Sequence, residues 1–207
     1  MSTVTRHRRR WLWRASAALA VAAVTVVVVL VGVEQWTRPA RLAAEDHFVR
    51  AQTSALLPPP PLDVDPFTEM EGLPGSDDVR VLRALRDGRL LRSVWLGVRA
   101  PNGYSGPIDL AIAFDADGTI AGIDVLRHRE TPGLGDVIEP RNSGWLTQFR
   151  GLSDSRNIAL AADGGVVDGI TSATITTRAV TDAVRRAQLL YREHGQRLSP
   201  DSGRTGQ

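Results

Sequence analysis

Apolar residues fall along this chain in three unlike patterns, and each predicts a different kind of element. From Ala15 to Val33 the sequence reads ASAALAVAAVTVVVVLVGV, 19 residues without a charge. As a helix that stretch spans roughly 28 Å, about the thickness of a bilayer core. Between Val79 and Leu126 the apolar runs shorten to strand length. Residues 79–86 and 89–99 flank Asp87-Gly88, and residues 108–114 and 119–126 flank Asp117-Gly118. Asp-Gly between β-prone runs signals a hairpin. In the last run Ile120, Gly122 and Asp124 alternate with Ala121, Ile123 and Val125, as in a strand buried on one face. Further on the period becomes three and four. Ala179, Val180, Ala183, Val184, Ala187, Leu190 and Tyr191 form one stripe, with Arg178, Asp182, Arg185, Arg186 and Glu193 opposite. This predicts an amphipathic helix with Thr171 or Ser172 as N-cap and His194-Gly195 as its stop.

The pieces between these patterns complete the layout. Residues 38–57 read as a short helix with a loose apolar face of Leu42, His47, Phe48, Ala51 and Leu56. Pro58 to Pro61 end it and open a stiff, extended linker to about Asp78. The expected fold class is α+β: a single N-terminal transmembrane helix, then a small domain with an antiparallel sheet and a C-terminal helix. The expected boundaries are a basic segment at 1–14, the membrane helix at 15–36, a juxtamembrane helix and proline-rich linker at 37–78, the domain at 79–194 and a flexible tail at 195–207.

Charge orients this layout. Arg6, Arg8, Arg9, Arg10 and Arg14 precede Ala15 with no acid among them, which predicts a cytoplasmic N-terminus and an outer domain. Trp11 and Trp13 at one end of the apolar stretch and Trp36 at the other suit the two membrane interfaces. A cleaved signal peptide is the competing reading. Its apolar stretch is usually shorter, and Val33-Glu34-Gln35-Trp36 offers no small-residue cleavage site. Of the 25 basic residues, setting aside those five arginines leaves 20 against 23 acidic residues, a net of −3, so the body of the chain has no basic excess for nucleic acid. The absence of cysteine excludes disulfides, thiolate zinc sites, cysteine-ligated iron–sulfur clusters and thiol catalysis.

Four segments carry candidate chemistry. In Asp168-Gly-Ile-Thr-Ser-Ala-Thr174, hydroxyls crowd the start of the predicted helix, where free N–H groups and the positive dipole end favour a phosphate. A threonine there either holds a phosphate noncovalently or is esterified by it; ordinary capping is the plainer reading. In His128-Arg-Glu-Thr-Pro-Gly-Leu-Gly135, Pro132, Gly133 and Gly135 predict a tight loop whose backbone can approach a flat ligand, or simply a structural turn. His128 has no second ligand at a metal-motif spacing, and no G-x-S-x-G elbow marks a serine hydrolase, so neither a metal nor a catalytic side chain is expected. Asn102-Gly-Tyr-Ser-Gly-Pro107 offers Tyr104, and Ser143-Gly-Trp-Leu-Thr-Gln-Phe149 offers Trp145; each is by default a turn or a core contact. An aromatic platform beside a phosphate-binding helix end would nevertheless suit a flavin.

Taken in order, GYSGPI, HRETPGLGD, SGWLTQF and DGITSATITTRAVTDAV resemble the G subunit of the Rnf (or Rsx) ion-translocating electron transport complex. They are also similar to the C subunit of the sodium-pumping NADH:quinone reductase, though GYSGPI fits the first better. The resemblance covers about residues 79–193. It implies FMN bound covalently as a phosphoester on Thr174 of the Thr171-Ser172-Ala173-Thr174 element, which makes the chain a phosphoprotein. Ser172 stands where the family usually has glycine. Asp168 matches the residue read by a flavin transferase that uses FAD as donor. By the same resemblance Glu130, Thr131, Pro132, Gly133, Leu134 and Gly135 lie near the ring; Tyr104 and Trp145 are placed there on geometric grounds alone. The implied protein is a component of a translocase in a bacterial inner membrane, with its domain in the periplasm, passing electrons between the other membrane subunits. A membrane-tethered flavin sensor is the alternative from another class, associational only.

Overall fold

The computed structural model describes residues 23–37, 49–68, 70–73, 76 and 78–195. Residues 1–22, with the arginine cluster, lie outside it, as do Leu42, His47, Phe48 and the tail from Gln196. Residues 23–37 are helical, and their apolar side chains, among them Val24, Val28 and Leu30, are exposed. Among the described residues no helix is long and apolar enough to cross a membrane. The predicted span begins at Ala15, so its first turns fall outside the described residues. This segment and residues 49–207 are separate compact units.

In the second unit five strands follow one another in space as in sequence, all antiparallel: β1 (Glu71–Gly72), β2 (Arg80–Arg86), β3 (Arg89–Ala100), β4 (Ile108–Asp115) and β5 (Ile120–Arg127). Both Asp-Gly turns form. Asp87 and Gly88 take φ of 52° and 70°, the left-handed pair that a two-residue hairpin needs to match strand twist. The second turn is wider, closed by Gly118 N–H to the Asp115 carbonyl, with Gly118 alone at positive φ. The long helix Thr174–His194 lays Ala179, Val180, Ala183, Val184, Ala187 and Tyr191 against the sheet. There they meet Trp95, Ile112, Phe114 and Ile123 in the larger core.

The structure departs from expectation on the other face. Strand β5 was expected to bury one face, yet Ala121 joins Leu82, Val94, Leu96, Ala111 and Ala113 in a second buried cluster. The cover is the stretch read as a juxtamembrane helix and linker. Leu56 is buried in that cluster, with Val49, Leu57 and Phe67 packed around it. Side chains of the sheet grip this segment's backbone: Arg92 Nη1 donates to the Leu56 carbonyl at 2.9 Å, and Arg86 to the Pro61 carbonyl at 2.9 Å. Residues 71–72 extend the sheet as β1, and Leu73 enters the main core. A proline-rich stretch is a free linker only when its flanking apolar residues find no partner.

Candidate functional site

The strand-to-helix connection and the loop between β3 and β4 build a cleft at one end of the sheet. Its volume is about 310 Å³, and its lining includes Tyr104, Glu130, Thr131, Leu134, Gly135, Thr171, Ser172, Ala173 and Thr174. Four separate sequence motifs were candidates, and three of them meet here. Ile175 and Thr176 also line the cleft; the helical stripe concealed them, because Ile175 lies outside the stripe and is half exposed.

One wall is the start of the long helix. A 3-10 turn, Thr171–Ala173, leads into Thr174, and no side chain caps the helix at Ala173. The expectation that Thr171 or Ser172 caps it is therefore corrected. The tight turn brings Ala173 N–H to the Ile170 carbonyl, so the reversal is made by backbone, and both hydroxyls face outward, exposed. Thr174 Oγ1 is exposed too, making only long bonds to the Thr171 and Ile170 carbonyls at 3.2 and 3.4 Å. The first turn of the helix carries no acid of its own, so the helix end presents N–H groups and a positive dipole to the cleft.

The opposite wall follows β5. Residues 130–135 turn tightly: Leu134 and Gly135 N–H both return to the Thr131 carbonyl, and Gly133 N–H reaches Asp136 Oδ1 at 2.8 Å. Gly133 adopts φ +76°, a region other residues enter at a cost. It and Pro132 are exposed on the rim rather than in the lining. Behind the loop stands His128, not exposed as a simple turn residue would be but largely buried. Its Nδ1 accepts the Glu130 N–H at 3.1 Å, which leaves Nε2 as the protonated nitrogen facing Glu139 Oε1 at 2.6 Å. The Arg141 guanidinium, and after it His128, hold the Glu139 carboxyl below the usual carboxylate range, against the effect of burial.

Trp145 does not reach the cleft. Its ring is 6 % exposed, stacked edge-on against Phe149 at 5.3 Å inside the core. The indole N–H instead donates to the Asp168 carbonyl at 2.6 Å, and Gln148 Oε1 accepts the Asp168 N–H at 2.8 Å. Trp145 thus supports the threonine segment, because a buried indole N–H needs an acceptor and the Asp168 carbonyl supplies it. The Asp168 side chain is exposed and outside the lining. Tyr104, 69 % exposed, is the aromatic group that the cleft does carry.

The donor set suits an anion at the helix end, and the apolar surfaces of Tyr104, Leu134 and Ile175 suit a flat ring beside it. Among the described residues no group of acids and histidines is arranged to hold a metal ion.

Comparison with known proteins bears on the same residues. Residues 103–188 match the FMN-binding domain family. The G subunit of the ion-translocating oxidoreductase complex of Escherichia coli O157:H7 is 44 % identical over 129 residues, 60 % of this chain and 62 % of that protein. The protein of the same name in strain K12 is 46 % identical over 119 residues, 56 % of this chain and 57 % of that one. That of Aliivibrio fischeri MJ11 is 46 % identical over 103 residues, covering 48 % and 49 %. The chain spans about half to three-fifths of the length of these curated relatives. The resemblance drawn from the motifs is thus to proteins that bear that name. The crystal structure of Shewanella oneidensis NqrC superposes with a TM-score of 0.46 at 24 % identity, covering 66 % of this chain and 74 % of that one.

Proposed function

We propose that this chain is the membrane-anchored, FMN-carrying component of an ion-translocating oxidoreductase complex, an electron carrier rather than an independent enzyme. The observation that carries the reading is the cleft itself. An uncapped helix end bearing Thr174 faces an apolar wall, within the residues that match the FMN-binding domain family. FMN, when bound there, supplies the redox chemistry. The chain's own residues bind and orient it. The N–H groups at the helix start offset the phosphate charge, Tyr104 and Leu134 offer surfaces for the ring, and no side chain needs to move a proton. Thr174 Oγ1 is the attachment atom in this reading. A flavin transferase with FAD as donor would esterify this hydroxyl with the FMN phosphate, with AMP and the hydroxyl proton released. Esterification would remove only its two long bonds to the Ile170 and Thr171 carbonyls, so the fold would lose little. The exposed valines of residues 23–37 support the membrane anchor, since a surface of that kind calls for an apolar cover.

Thr174→Ala is expected to abolish covalent flavin while leaving the fold intact, since alanine is a good helix former and no cap is lost. The measurement is flavin fluorescence on a denaturing gel and intact mass, with and without the transferase. A fluorescent Thr174→Ala band would overturn the attachment.

A further inference from the structure

Glu130 is 5 % exposed, yet neither of its carboxylate oxygens is left without a partner inside the protein. Oε1 accepts the Ser105 N–H at 3.0 Å, and Oε2 accepts the Thr176 hydroxyl at 2.6 Å. These partners stand on different elements, the loop carrying Tyr104 and the helix carrying Thr174, separated from Glu130 by 25 and 46 residues of chain. Space around the side chain is fully used. A Cβ at Gly103 would lie 2.9 Å from Oε1, and one at Gly135 would lie 2.5 Å from Oε2. Both distances are too short for real atoms, so glycine at these positions lets two backbones close on one carboxylate.

We propose that Glu130 is a positioning residue: it ties the 103–106 loop to the long helix and thereby sets the spacing between Tyr104 and the Thr174 hydroxyl. It does not act on the flavin through its own charge. The proposal rests on the reading that FMN occupies this cleft. The chemistry of the donors explains the residue type. An amide N–H and a hydroxyl are both donors, and a carboxylate accepts from both at once. Glutamine can satisfy the same geometry. Its oxygen takes the Ser105 N–H and its amide nitrogen donates to Thr176 Oγ1, whose proton turns to a carbonyl of the preceding helical turn. Alanine can do neither and leaves a void between the walls.

The test uses the full chain in detergent, with Glu130→Ala, Glu130→Gln and Thr176→Val. Hydrogen exchange at the Ser105 amide is followed in the unloaded protein, and flavin loading and midpoint potential after incubation with a flavin transferase and FAD. Exchange at Ser105 is expected to accelerate in Glu130→Ala and also in Thr176→Val, although Thr176 makes no bond to Ser105. Loading is expected to fall on the order of tenfold or more in Glu130→Ala, as misplacement of a reacting group does. Glu130→Gln is expected to restore loading and leave the potential unchanged. A potential shifted in Glu130→Gln would overturn the proposal, because the charge would then act on the flavin directly. So would Ser105 exchange unmoved by Thr176→Val, because the walls would then not be linked through Glu130. If Glu130→Ala fails to fold, the other two variants decide between the same outcomes. A wild-type chain that takes up no flavin would sink the FMN reading alone, since the exchange measurement needs none.

Discussion

Tyr191 shows how much one residue's surroundings set its chemistry. Its ring lies 4.7 Å from Phe114 and 5.8 Å from Trp95, and its hydroxyl donates to the Asp115 carbonyl at 3.0 Å. Burial, with the nearby Asp117 and Asp115 charges adding to it, pushes the phenol up to about 12. Because the folded value lies above the unfolded one, near 10, the stability this group contributes is complete below about pH 10 and is lost as pH rises through about 12. Replacing Tyr104 by phenylalanine leaves Tyr191 as the one remaining tyrosine of the two. Phenolate absorbance of that variant is expected to have its midpoint near 12, with unfolding setting in as the ring ionises. A midpoint near the free-tyrosine value of about 10 would mean that the ring is open to water. Trp145 carries the same lesson in reverse. A large aromatic residue near a motif suggests a ligand platform, but its indole N–H was drawn to a backbone carbonyl and its ring to Phe149.

Among the elements, the segment covering the outer face of the sheet changes what counts as the domain. Leu56 fills the space above Gly122, where a Cβ would lie 2.9 Å from Leu56 Cδ2. Leu56→Ala is expected to lower stability by about 2–5 kcal/mol, the range for removing a buried leucine without full collapse of the cavity. Urea unfolding of the variant checks this; a loss below about 0.5 kcal/mol, as for surface changes, would mean that the segment rests on the sheet without sharing its core. The same argument says that a chain beginning at Val79 would expose Leu82, Val94 and Leu96, which are otherwise at most 3 % exposed. The second element-scale feature is the start of the long helix. Its hydroxyl-rich sequence looks like a set of caps, yet the tight backbone turn leaves Thr171 and Ser172 exposed in the lining of the cleft instead.

For the molecule as a whole, the proposed arrangement makes a directional claim. Five arginines before Ala15 and a chargeless stretch after them predict an N-terminus inside and the domain outside. A reporter joined after Gln207 is expected to be active if it works only in the periplasm, and inactive if it works only in the cytoplasm. The opposite result would overturn the orientation. It would also remove the physical rationale for a covalent flavin, which is that a tethered cofactor cannot diffuse away into a compartment without a pool to replace it.

Much of the architecture was legible before any fold was known, because it rests on local rules. The Asp-Gly turns, the strand-length runs and the stripe from Ala179 to Tyr191 depend on backbone preference and on which side chains face one way, and both repeat within a few residues. The cofactor class and Thr174 came from resemblance, carried by four motifs in order. Tertiary structure alone decided which candidates share a space. It turned Trp145 inward, left Asp168, Pro132 and Gly133 outside the lining, folded Val49, Leu56, Leu57 and Phe67 onto the sheet and gave Glu130 its two partners. The reason is physical. A residue's own pattern reports that it will be buried or bonded, but the partner that covers or bonds it comes from another part of the chain, and no local period encodes that choice.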